Sequence, residues 1–195
     1  MLQYGYHVLK YNSRGIGGST GKPSLDGFAE GQDLKAVVDW ATEQIKDIES
    51  IIILVESLLN RPKFPTLICQ GYSYGSLIAT LFPISESIKT SHVLISYPLD
   101  ARPTLILPFN VKTYDKKLTN LVQNPDGSLL IIFGDRDNFT SIKKYEKWAD
   151  TLREQAGEDG AELEIVTVPG AAHNWDEEPL EKLVSHLSDW LQEHL

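Results

Sequence analysis

Side chains suited to acyl-transfer chemistry stand at informative places in this chain of 195 residues. Ser73 is the centre of Gly71-Tyr72-Ser73-Tyr74-Gly75, directly after the apolar run Thr66-Leu67-Ile68-Cys69 and just before a helix-compatible stretch over residues 76–82. A serine becomes a nucleophile when a sharp strand-to-helix turn leaves it at a strained apex, and glycines two residues to either side let the backbone pass closely enough. His173 lies in Pro169-Gly170-Ala171-Ala172-His173-Asn174-Trp175, just beyond an apolar run that ends at Val168. The small residues before it let the loop fold inward, where an imidazole can serve as general base. Asp135 and Asp137, in Gly134-Asp135-Arg136-Asp137, follow the run that ends at Phe133. Either carboxylate can accept from His173 Nδ1–H and so hold the tautomer that leaves Nε2 free. Either can instead cap the helix that follows.

The pentapeptide pattern alone is weak, because Gly17-Gly18-Ser19-Thr20-Gly21 matches it too. Pro23 and Gly27 forbid a helix after that second match, and residues 12–16 separate it from any strand, so it reads as a loop. His7 and His92 fall in or beside strands, while His186 and His194 lie on the terminal helix; structural or solvated roles suffice for all four. Tyr72, Tyr74 and Trp175 flank the candidate site either as an apolar wall or as packing.

Placing Ser73, an aspartate and His173 together needs strands that point one way, since loops at the C-terminal ends of parallel strands open on one edge. Short apolar runs alternating with helical patterns predict such an α/β fold, a mostly parallel sheet flanked by helices. Strands are predicted at residues 6–11, 66–70, 93–97, 128–133 and 162–168, and a loop at 12–27. Leu34, Val37, Val38, Ala41, Ile45, Ile48, Ile52, Val55 and Leu59 step by three or four, which predicts one long helix over 31–59 with a break near Glu49. Further helices are predicted at 141–155 and from Glu178 onward, the latter striped by Leu180, Leu183, Val184, Leu187, Trp190 and Leu191. Residues 98–127 carry five prolines or glycines and no long period, and read as a connection too short for a lid domain. One domain over residues 1–195 accommodates all of this.

The totals exclude several classes. A net charge of −9 argues against nucleic acid or an anionic membrane as partner, because both need a basic surface. The single cysteine, Cys69, rules out an internal disulfide and reads as a small buried apolar residue. No run approaches the roughly 20 apolar residues of a membrane span, and the start has no signal pattern, so the expectation is cytoplasmic. The histidines lack metal-ligand spacing, and the glycine-rich stretch Gly15–Lys22 fails both the phosphate-loop and the dinucleotide fingerprints. No metal and no cofactor are expected.

With these motifs in hand, the chain resembles the α/β-hydrolase superfamily over nearly its whole length. Tyr11-Asn12-Ser13-Arg14-Gly15-Ile16-Gly17-Gly18-Ser19 is similar to the loop after that family's fourth strand, and Gly71 to Gly75 to the elbow after the fifth. Gly134 to Asp137 resembles the Gly-x-x-Asp after strand seven, whose last residue is the acid, so the resemblance selects Asp137 over Asp135. Pro169 to His173 resembles the histidine loop after strand eight, and Ser73, Asp137, His173 stand in the family's order. The short segment after strand six implies a compact, nearly lidless esterase, thioesterase or other hydrolase, one that cleaves a small ester, thioester or amide. By the same resemblance the chain begins at the fourth strand, as an N-terminally truncated form would, and lacks the third-strand loop that donates one oxyanion N–H. Only the Tyr74 amide is then expected as donor, and one lost donor costs about 10²–10³ in turnover. A missing central strand would leave strand 6–11 paired directly with 66–70, or an exposed sheet prone to self-association. Two hypotheses result: a serine hydrolase working through Ser73, Asp137 and His173, and a catalytically silent scaffold or truncated fragment.

Overall fold

The computed structural model describes residues 7–46, 48–53 and 72–193. Its described strands are β1 (Ser50–Ile53), β2 (Lys89–Ile95), β3 (Gly127–Gly134) and β4 (Glu162–Val168), and its helices α1 (Phe28–Gln44), α2 (Tyr74–Ala79), α3 (Arg102–Leu105), α4 (Val111–Val122), α5 (Ile142–Ala156) and α6 (Glu177–Glu193). The strands lie side by side in chain order and every ladder is parallel. The expected parallel α/β architecture is therefore what forms.

Strand alternation sorts the core into two layers. Leu94, Leu129, Ile131 and Phe133 face one side with residues of α1, α2, α4 and α5. Val93, Ile95, Leu130, Ile132 and Val168 face the other, against Leu183, Leu187, Trp190 and Leu191 of α6. Successive steps across the sheet all run in one direction, so right-handed crossovers put α4 and α5 on the same face, and α6 wraps back to cover the second. Covered on both faces, β3 is buried along its whole length, as its unbroken apolar run requires. Among the described residues, no helix is long and apolar enough to cross a membrane.

Three expectations are corrected. The long helix over 31–59 ends at Gln44, where Ile45 turns extended (φ −108°, ψ 119°), and residues 50–53 form β1. Three successive isoleucines, stiff at χ1 and suited to a pleated surface, pair with β2 from Ser50↔Lys89 to Ile53↔His92. Residues 7–11 form no strand; among the described residues they have no ladder partner to satisfy an extended backbone. Residues 98–127 are more than a connection. They contain α3, a 3-10 turn at Pro108–Asn110 and the twelve-residue α4, which buries Tyr114, Leu118, Leu121 and Val122 at helical spacing. Boundaries shift elsewhere: β2 begins four residues before the expected strand, and α2 two residues before the expected helix. The expected strand at 66–70, with Cys69 and Gly71, lies outside the described residues.

The loop over 12–27 is anchored onto α1. Arg14 donates twice to Asp33, Nε to Oδ2 and Nη2 to Oδ1 at 2.7 Å each, and to the Ala29 carbonyl. The buried Glu30 accepts from the Ser24 N–H at 2.7 Å and from the Ser24 hydroxyl. Ser19, centre of the second Gly-x-Ser-x-Gly match, spends its hydroxyl on the Asn12 carbonyl at 2.7 Å, which fits the loop expectation.

Candidate active site

Ser73, Asp137 and His173 converge on one edge of the sheet: Asp137 and His173 lie just beyond the ends of β3 and β4, and Ser73 lies beside the end of β2. Tyr72 bridges in parallel to Ile95, the last residue of β2, and Ser73 N–H donates to the Ile95 carbonyl at 2.9 Å. The chain then turns directly into α2, which leaves Ser73 at φ 56° and ψ −116°. That conformation is costly for a residue with a Cβ and is tolerated where the surroundings hold it. Ser96 (φ 50°) and Trp175 (φ 50°) share the left-handed region, so three of the four such non-glycine residues described lie on the loops at this edge. Two of them are tied together, since Trp175 Nε1–H donates to Ser96 Oγ at 2.9 Å, and Ser96 N–H is itself anchored on the Ile132 carbonyl at 2.8 Å.

The loops after β3 and β4 are stitched together. Arg136 N–H donates to the Ala171 carbonyl at 3.0 Å, and Gly170 N–H to Asp135 Oδ1 at 2.7 Å. Gly134 makes this approach sterically feasible. A Cβ there would lie 2.0 Å from the Ala171 carbonyl oxygen and 2.6 Å from its carbon, both backbone atoms that cannot swing aside. Asp135 thus spends its carboxylate on the histidine loop's backbone.

Asp137 faces the other way, buried, and His173 Nδ1 lies 2.8 Å from its Oδ2. A carboxylate can only accept, so Nδ1 carries the proton and Nε2 is left with its lone pair. Nε2 lies 3.0 Å from Ser73 Oγ, within reach of the hydroxyl proton. Burial of a carboxylate is costly unless donors replace water. Asp137 has four: the N–H groups of Phe139 (2.7 Å) and Thr140 (3.1 Å) on Oδ1, and His173 Nδ1–H and the Tyr145 hydroxyl (3.2 Å) on Oδ2. The Tyr145 hydroxyl also lies 3.0 Å from the Tyr97 carbonyl, so one proton serves two acceptors. Burial, then the neighbouring Asp137 carboxylate, raises the Tyr145 pKa above the ordinary phenol range and keeps it a donor.

Two rings touch the imidazole: Phe139, with centroids 4.4 Å apart, and Tyr72 at 5.0 Å, each tilted by 45°. Of the three aromatic residues expected to flank the site, only Tyr72 makes this contact. Trp175 is buried packing in the layer beneath α6. The Tyr74 side chain points toward Gly27, and burial followed by Glu30 and Asp26 raises its pKa. Its N–H, the first of α2, has no intrahelical partner, as at any helix start. Tyr145, Phe139 and Ser96 carry no signal of their own in the sequence, whereas Gly134 opens the Gly-x-x-Asp pattern. His92 is structural: it is fully buried, its Nε2–H donates to the Phe82 carbonyl at 2.9 Å, and burial lowers its pKa to about 4.

Comparison with solved structures supplies the fold's relatives. An esterase from Pyrococcus furiosus superposes with a TM-score of 0.65 over 98% of this chain and 72% of its own, at 24% identity. The chain has the α/β-hydrolase fold. A putative α/β hydrolase from Agrobacterium tumefaciens shares this fold at a TM-score of 0.62 and 22% identity, over 94% of this chain and 67% of that one. An α/β serine hydrolase homologue from Coxiella burnetii follows at 0.58 and 18%, over 94% and 66%. The chain thus spans 66 to 72% of the length of these α/β-hydrolase structures. The family model for X-Pro dipeptidyl-peptidases (S15 family) matches residues 1–84, and no curated protein matches.

Proposed function

We propose that this α/β-hydrolase fold is a serine hydrolase of small esters, thioesters or amides. The observation that carries this is the unbroken series Ser73 Oγ, His173 Nε2, His173 Nδ1, Asp137 Oδ2, with contacts of 3.0 and 2.8 Å. His173 takes the proton from Ser73 as Oγ attacks the substrate carbonyl, and Asp137 stabilises the imidazolium that forms. The Tyr74 N–H, next to the nucleophile, donates to the oxyanion. The C–O, C–S or C–N bond then breaks, His173 Nε2 gives its proton to the leaving group, and an acyl-enzyme remains on Ser73. Water, deprotonated by His173, releases the acid and regenerates Ser73. No step calls for a cofactor. The similarity to an esterase of Pyrococcus furiosus supports an ester substrate.

A fluorophosphonate probe tests this directly, because it reacts with an activated serine whatever the natural substrate. The wild-type chain is expected to label, and Ser73→Ala and His173→Ala to remain unlabelled. A folded wild-type chain that does not label refutes the proposal and leaves a silent scaffold.

A further inference from the structure

We propose that Phe139 and Tyr72 form the leaving-group subsite and that it takes an apolar alcohol, so the preferred substrates are esters of aryl or arylalkyl alcohols. This rests on the hydrolase proposed above. In acyl transfer the leaving oxygen must receive its proton from His173 Nε2, so the group behind that oxygen departs alongside the imidazole. The rings touching that imidazole, with centroids at 4.4 and 5.0 Å, therefore bound the space it crosses.

Exposure separates these two rings from the rest of the site. Asp137, Thr140, His173 and Trp175 are buried, yet Phe139 is 48% exposed and Tyr72 half-buried. Phe139 is also held in place: its N–H donates to Asp137 Oδ1 at 2.7 Å, which ties the ring's backbone to the acid that orients His173. An open aromatic face fixed against the proton donor gains by being covered with apolar surface. The cover arrives with the substrate: as the Ser73 Oγ–acyl bond forms and the acyl–oxygen bond breaks, the alcohol leaves across Phe139 carrying the proton from Nε2.

Benzyl acetate and methyl acetate test this, since they share an acyl group and their alcohols are of similar acidity, but only benzyl alcohol can cover the rings. The expected ratio of kcat/KM, benzyl over methyl, is about tenfold or more for the wild type, in the range that apolar contacts give in enzyme pockets. It falls to within about threefold in Phe139→Ala and is intermediate in Phe139→Leu; both esters are read on the same variant, so a general loss of activity cancels from the ratio. Tyr72→Ala lowers it in the same direction. A labelled wild type that hydrolyses neither ester, or whose ratio is unchanged in Phe139→Ala, overturns the subsite alone. A folded wild type that neither labels nor hydrolyses overturns the hydrolase and the subsite together.

Discussion

Replacing Tyr145 with phenylalanine isolates a single hydroxyl on the acid. The ring stack on Phe133, centroids 4.2 Å apart and 7° from parallel, survives the change. No acceptor is orphaned either. The Tyr97 carbonyl keeps the Leu99 N–H at 2.9 Å, and Asp137 keeps two N–H groups on Oδ1 and His173 on Oδ2. The stability cost is therefore that of one ordinary buried hydrogen bond, about 1 kcal/mol, or a fall of about 2–4 °C in Tm for a chain this size. The effect on chemistry is small, because the two amides on Oδ1 keep the carboxylate turned toward His173 Nδ1 once the hydroxyl is gone. If all of that ~1 kcal/mol were expressed in the reaction of Ser73, the rate would change about fivefold. The labelling rate of Tyr145→Phe at neutral pH is therefore expected within about fivefold of wild type. The assay is the rate of fluorophosphonate labelling of Ser73, with thermal denaturation alongside. An unchanged Tm refutes the stabilising share given to the hydroxyl. A hundredfold loss of rate in a folded protein refutes the claim that the amides alone fix the carboxylate.

Asp137→Asn should lower the labelling rate by about 10⁴, the scale expected when the histidine loses its orienting acid, whereas Asp135→Asn should change it less than tenfold because, among the described residues, Asp135 accepts only from the Gly170 N–H. Labelling kinetics of the pair decides between them. Gly134→Ala forces a Cβ into the Ala171 backbone, so labelling should be lost together with several °C of Tm, while Gly18→Ala, where a Cβ meets nothing within 4 Å, leaves both unchanged. His92 sets an acid limit on stability. Its folded pKa of about 4 lies below the unfolded 6.5, so its contribution is complete above pH 6.5 and is lost as pH falls toward 4, in total about 3 kcal/mol. Denaturant unfolding at pH 7 and pH 4 should show that loss in the wild type and a smaller one in His92→Gln.

Local pattern determined much of this protein. An apolar run before Gly-x-Ser-x-Gly, an aspartate after one strand and a histidine after another were legible because strands and helices print their own periods and glycines mark the turns. The extent of β4 over Glu162–Val168 and the start of α6 were legible for the same reason. Where two periods overlap, local pattern failed. Ile52 continues a helical stripe equally well, and it was parallel pairing with β2 that made residues 50–53 a strand. The stripe of Tyr114, Leu118, Leu121 and Val122 was hidden by the prolines and glycines around it.

The site itself was decided in three dimensions. Ser73 and His173 lie 100 residues apart, and His173 and Asp137 lie 36 apart. No local rule joins them, and parallel strands delivering their loops to one edge do. That packing turned Asp137 toward the imidazole and Asp135 toward Gly170, set the Tyr145 hydroxyl on Asp137, and left Phe139 open beside His173. The residue types capable of the chemistry are a property of the sequence. Which of them share a hydrogen bond follows from how the sheet buries its two faces.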